Sequence, residues 1–137
     1  MRFLIIVKAS PESEAGELPP AYFNPQMAEF HNDLARAGAL LDTARLTPSS
    51  AGWRIRHDGE QRKVIAGPFA DSHELIAAYT LIQARSRDEA LEWTRRFPNP
   101  RGEGLEAEIE VRQLYEMEDF AGVDGVEQFR DLETLRG

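Results

Sequence analysis

Acid/base chemistry in this 137-residue chain starts from three histidines, His31, His57 and His73, whose ordinary pKa lies near neutrality. His31 follows Phe30 at the edge of an apolar stripe, where a carboxylate such as Asp42 or Asp71 could orient it as a general base. His73 stands in Asp71-Ser72-His73-Glu74, a polar cluster at the entrance of an apolar run. The same residues equally make an ordinary turn that satisfies its own backbone. His57 falls at a hairpin end and reads as solvated. The acid/base candidates are therefore His31, Asp42, Asp71 and His73. A second set is aromatic: Phe30, Phe69, Tyr79 and Trp93 lie on four different elements. If those elements meet, the rings line an apolar ligand pocket with the Tyr79 hydroxyl as its polar handle; otherwise they are core. Trp93 is off the stripe of its own helix and is expected at an interface.

Other chemistries lack their parts. The chain has no cysteine and no G-x-S-x-G elbow, so a nucleophile has no recognisable setting. No H-x-H, H-x-x-x-H or H-E-x-x-H spacing occurs, and Glu106, Glu108 and Glu110 alternate as on a solvated strand edge, so neither a metal nor a cofactor is expected. Gly67-Pro68 does not make a phosphate loop, because proline lacks the N–H that such a loop uses.

The elements that must position these residues follow from period and punctuation. Arg2 to Ala9 is a β-branched apolar run stopped by Pro11, a buried strand. Residues 10–22, with three prolines and three glutamates, read as a surface loop. Asn24 as N-cap and Pro25 at the first helical position open a helix carrying Phe23, Met27, Phe30, Leu34 and Ala37 on one stripe, and Gly38 ends it. Ala39 to Leu46 is a second strand, in which Asp42 and Arg45 alternate with core residues and are placed to face a partner copy. Trp53 to Ala66 is a hairpin turned at Asp58-Gly59. Leu75 to Ala84 is the next strand. Ser86 with Glu89 caps a helix that Pro98 and Pro100 close. Ala107 to Tyr115 is the last strand, and a short amphipathic helix through Val126, Phe129 and Leu132 ends the chain. The order predicts an α+β ferredoxin-like βαββαβ domain over 1–120, with an inserted β-hairpin, and a C-terminal helical tail over 121–137.

Charge divides the chain differently. The formal net charge is −8, yet residues 1–102 hold 13 acidic and 13 basic side chains, and residues 103–137 hold 11 acidic against 3 basic. An acidic chain with no basic stripe is not expected to bind nucleic acid. No apolar run reaches the roughly 18 residues of a membrane span, so no membrane association and a cytoplasmic location are expected.

The run from Ala66 through Gly67-Pro68-Phe69-Ala70-Asp71 and on to Tyr79 resembles the signature of the YCII-related family in its DGPF branch, with Ala66 where the branch has Asp. The blocks Met1 to Ser10, Phe30 to Leu46 (with Leu34-x-x-Ala37-Gly38-x-Leu40-Leu41), Ser86 to Pro100 and Glu110 to Phe120 are similar to that branch as well. The resemblance implies a dimeric α/β barrel, in which two ferredoxin-like protomers pack their sheets face to face, with a pocket between sheet and helices. It further implies lyase- or isomerase-like chemistry on small aromatic compounds in a few relatives, with a helix-borne His and a nearby Asp as the acid/base pair. Counting back from Gly38, that His falls on Met27, which cannot move a proton. Some genes of the branch neighbour extracytoplasmic-function sigma factors. Three functions follow as expectations. The first is a homodimer binding a small apolar or aromatic molecule. The second is a cofactor-free acid/base enzyme acting on a small ring. The third is an interaction module that uses the charged tail.

Overall fold

The computed structural model describes residues 1–70 and 74–136. In chain order it runs β1 (Arg2–Lys8), a single-turn helix α1 (Pro11–Glu14), α2 (Pro25–Arg36), β2 (Leu40–Arg45), β3 (Trp53–Asp58), β4 (Gln61–Ala66), β5 (Ile76–Gln83), α3 (Arg87–Arg95), β6 (Ile109–Gln113) and α4 (Val126–Arg136). Four strands make one antiparallel sheet in the order β2-β5-β1-β6, and β3 and β4 pair with each other in a sheet of their own. With the hairpin set aside, this is the ferredoxin-like arrangement.

The pleat decides which side chains face the helices. Phe3, Ile5 and Val7 of β1 are buried and lie opposite Ile82, Thr80 and Ala78 of β5. Against them pack Met27, Phe30 and Leu34 of α2 and Ala90 and Thr94 of α3. The alternate residues Leu4, Ile6, Tyr79 and Leu81 point to the other face and remain partly exposed. Thr43 of β2 pairs with Thr80, which puts Thr43 on the helix side of the sheet and its neighbours Asp42 and Ala44 on the opposite side.

Local chemistry sets the helix starts. Asn24 Oδ1 accepts from the Met27 amide at 2.8 Å, and Pro25 occupies the first turn. Ser86 Oγ accepts from the Glu89 amide at 3.1 Å to open α3. Gly38, with φ +71°, ends α2 in the left-handed region that suits glycine. The segment 10–22, expected to be irregular, contains α1. Ser10 and Ser13 cap it reciprocally and Pro11 is its first residue, so one turn is stabilised without burying anything.

The Gly67-Pro68-Phe69 turn is a joint. A Cβ on Gly67 would lie 1.9 Å from the carbonyl oxygen of Ser49, so the two backbones touch and only glycine fits there. The Gly67 amide donates to the Gly52 carbonyl at 3.0 Å, and the Phe69 amide donates to Ser49 Oγ at 3.0 Å. Ser49 in turn donates through its amide and its hydroxyl to the Glu14 carboxylate. One serine thus links the base of the hairpin to α1. A second pin on that loop is the Glu12–Arg101 ion pair at 2.7 Å. No helix among the described residues is long and apolar enough to cross a membrane.

Candidate functional site

The middle of α2 carries His31 over the sheet. Its Nδ1 lies 2.8 Å from the Met27 carbonyl oxygen, one helical turn back. A carbonyl only accepts, so Nδ1 holds the proton and the neutral ring presents Nε2 as an acceptor. Nε2 lies 2.8 Å from Thr80 Oγ1 and 3.3 Å from the Tyr22 hydroxyl. Thr80 is fully buried, and its Oγ1 is 3.2 Å from Thr43 Oγ1, which reaches the Tyr79 carbonyl at 3.1 Å. Phe30 and Phe97 pack edge-on against the imidazole, with centroids 5.6 Å and 6.1 Å away.

Hydroxyls both donate and accept, so this chain has two complete arrangements. With His31 neutral, Thr80 donates to Nε2. With His31 protonated, Nε2–H donates to Thr80, Thr80 donates to Thr43, and Thr43 donates to the Tyr79 carbonyl. No donor or acceptor of this hydrogen-bonded chain is orphaned in either arrangement.

Beside this network lies a cavity of about 400 Å³, lined by Tyr22, Phe23, Met27, His31, Thr43 and Arg45 among others. Its wall is mostly apolar, and Tyr22, His31 and Thr43 belong to the hydrogen-bonded chain just described. The Arg45 guanidinium sits 4.5 Å from the Phe23 ring centroid, a cation–π contact. Among the described residues Arg45 has no carboxylate within ion-pair distance. Tyr22 and Arg45 also border a second cavity of about 390 Å³ beneath the loop that carries α1.

The other expected residues are dispersed. Asp42 is not the partner of His31: its carboxylate accepts from the Tyr79 hydroxyl at 2.9 Å and from the Thr43 amide at 2.8 Å, on the far face of the sheet. That bond raises the Tyr79 pKa, because the phenol donates to a carboxylate. Asp71 and His73 lie outside the described residues. The four aromatic candidates do not surround one cavity. Phe30 is buried in the core, edge-on to Trp93 at 6.2 Å and to Phe97 at 5.3 Å. Trp93 is partly buried against the core cluster, with the Arg96 guanidinium 4.3 Å from its ring. Phe69 lies beside the hairpin under Arg54, at 3.9 Å, and Tyr79 is on the open sheet face. Pleat alternation separates Tyr79 from His31 although Thr80 is its neighbour. Within the chain Arg45 reaches the Phe23 ring, and Phe23 is exposed there rather than buried on the α2 stripe. Tyr22, Thr43 and Thr80 were not among the expected site residues. Thr80 had a sequence signal, as a hydroxyl between the apolar positions 78 and 82. Tyr22 had none beyond its place two residues before the N-cap.

The family model for the YCII-related domain matches residues 1–118 of the chain. The chain belongs to the YCII-related family. A curated relative, an uncharacterised protein of Rhizobium meliloti (strain 1021), is 35% identical over 79 residues, which cover 58% of this chain and 64% of the relative. The chain thus spans just under two thirds of that protein's length. Among solved structures, 5-chloro-2-hydroxyhydroquinone dehydrochlorinase from Burkholderia phenoliruptrix AC1100, in complex with 2,5-dihydroxybenzoquinone, is 17% identical. It superposes with a TM-score of 0.39, covering 85% of this chain and 95% of that one.

Proposed function

We propose that this YCII-related protein binds a small apolar or aromatic molecule bearing one oxyanion, in the cavity at Tyr22, His31, Thr43 and Arg45, and exchanges a proton with it there. The observation that carries this reading is that one largely apolar cavity is lined by a phenol, a histidine whose Nε2 accepts from Thr80 and Tyr22, and a guanidinium with no carboxylate partner among the described residues. Arg45 neutralises the oxyanion. Tyr22 is the polar group that meets the ligand, and His31 stands behind it as the proton acceptor, held in one tautomer by Met27. The Gly67-Pro68-Phe69 run supports placement in the DGPF branch. Benzoate, a flat apolar body with a single oxyanion, is a suitable probe for titration calorimetry. The expected result is saturable binding that weakens about tenfold or more in Arg45→Gln, the usual cost of losing a charge-assisted hydrogen bond. His31→Ala should weaken it as well. Binding untouched by both substitutions, or no binding at all, refutes the reading.

We also infer that two copies associate through the sheet face that carries Leu4, Ile6, Tyr79 and Leu81. Its apolar centre is bordered by the charged pairs Lys8–Glu110 and Arg2–Glu116, the pattern of a dry interface with a polar rim. Light scattering should give twice the chain mass for the native protein and the single mass for Leu81→Arg. A native protein that stays monomeric at high concentration removes this inference.

A further inference from the structure

The cavity beneath the α1 loop shares Tyr22 and Arg45 with the His31 cavity but is otherwise built from different residues. Its lining is largely apolar, from Val7, Leu18, Pro20, Leu46, Ala78 and Pro100, of which Val7 and Ala78 are buried in the sheet and Leu18 and Leu46 are exposed in the loops. Its cations are not equivalent. Lys8 is engaged by Glu110 at 3.1 Å and Arg101 by Glu12 at 2.7 Å. Arg45, at the seam between the two cavities, is the one lining cation without a carboxylate partner among the described residues. Glu17 borders the same cavity from the loop and opposes an anion placed beside it. Charge and shape therefore agree on one arrangement: negative charge at the seam and hydrocarbon under the loop. The roof is built in advance, because Glu14 is bonded to Ser49 and Glu12 to Arg101, so a ligand does not have to order it.

We propose that the cavity under the α1 loop is a second compartment of the binding site, which receives an apolar chain of the ligand, so that the ligand class is an elongated aryl- or alkyl-carboxylate whose oxyanion meets Arg45. This rests on the reading of the His31 cavity as a binding site and extends it to a ligand of defined polarity and length.

Titration calorimetry with benzoate, phenylacetate, phenylpropionate and phenylbutanoate tests it on the full chain. Affinity should rise by about fourfold per added methylene, the transfer value of a buried CH2. Ala21→Trp places an indole at the wall of the second compartment alone, in an exposed loop position. It should abolish the gain from length while leaving benzoate unchanged. Thr47→Phe narrows the same compartment from another segment and should act alike, which guards against a folding defect in either variant. If benzoate binds but affinity is flat with chain length, or if both variants leave the series intact, the second compartment is refuted and the first survives. If no member of the series binds, both readings fall. Phenylbutanamide, lacking the charge, should bind more weakly than the acid; equal binding would overturn the placement of the oxyanion at Arg45.

Discussion

Gly67 illustrates how a single side chain is forbidden. Its missing Cβ leaves room for the Ser49 carbonyl, and Gly67→Ala would push two backbones apart. We expect a loss of about 1–3 kcal/mol, the usual cost of overpacking, seen as a lower denaturant midpoint with an unchanged slope. Thr80 is a different case. Thr80→Val keeps the shape but leaves His31 Nε2 with only the longer Tyr22 contact, and should cost about 1–3 kcal/mol for an acceptor left without its partner. Two carboxylates record their partners in their titration. Arg101, bonded to Glu12, and Lys8 with Arg112, bonded to Glu110, hold both acids below their ordinary value of 4.5. A depressed native pKa contributes stability that is present above the unfolded value and is lost as pH falls through the native one. Thermal midpoints should therefore fall on acidification below about pH 4.5, and less steeply in Glu12→Gln. Tyr79 works in the opposite direction: its raised pKa contributes below the ordinary value of 10.0, and that contribution is lost as pH rises through the native value.

At the scale of elements, stability is uneven. β1 and β5 are paired on both sides, whereas β3 and β4 have only each other and are exposed along their whole length. Amide exchange should be slowest in β1 and β5 and fast throughout the hairpin; equal protection would show that the hairpin is covered in solution. The main elements were legible in the sequence because each carries its own punctuation: Asn24-Pro25, the Ser86–Glu89 spacing and Asp58-Gly59 all act locally. The single turn α1 was missed although its signal was present. Ser10-Pro11 followed by Ser13 is a capping pair, but a four-residue helix has no apolar stripe to betray it. The site was much less legible. His31 stands out in the sequence as a histidine at the edge of the α2 stripe, but its partner Thr80 lies 49 residues away and a carboxylate is the chemical expectation. Strand alternation, which assigns Thr43 to one face and Asp42 to the other, depends on a register shift between Leu40 and Asp42 that no pattern in β2 announces.

On the scale of the whole molecule, the acidic excess is confined to the part that follows α3. α4 buries none of its described side chains fully, and Phe129, Leu132 and Leu135 are exposed. Glu133 of α4 sets its field at Arg2 of β1, whose guanidinium is raised in pKa first of all by its bond to Glu116. Removal of residues 121–137 should leave the thermal midpoint of the remaining chain little changed; a large drop would show that the tail completes the fold. The Ser49 hydroxyl, bonded to the cavity roof on one side and to the hairpin base on the other, makes these two distant parts mechanically one. Roof and hairpin root therefore share one fastening, and the loss of that single oxygen loosens both at once.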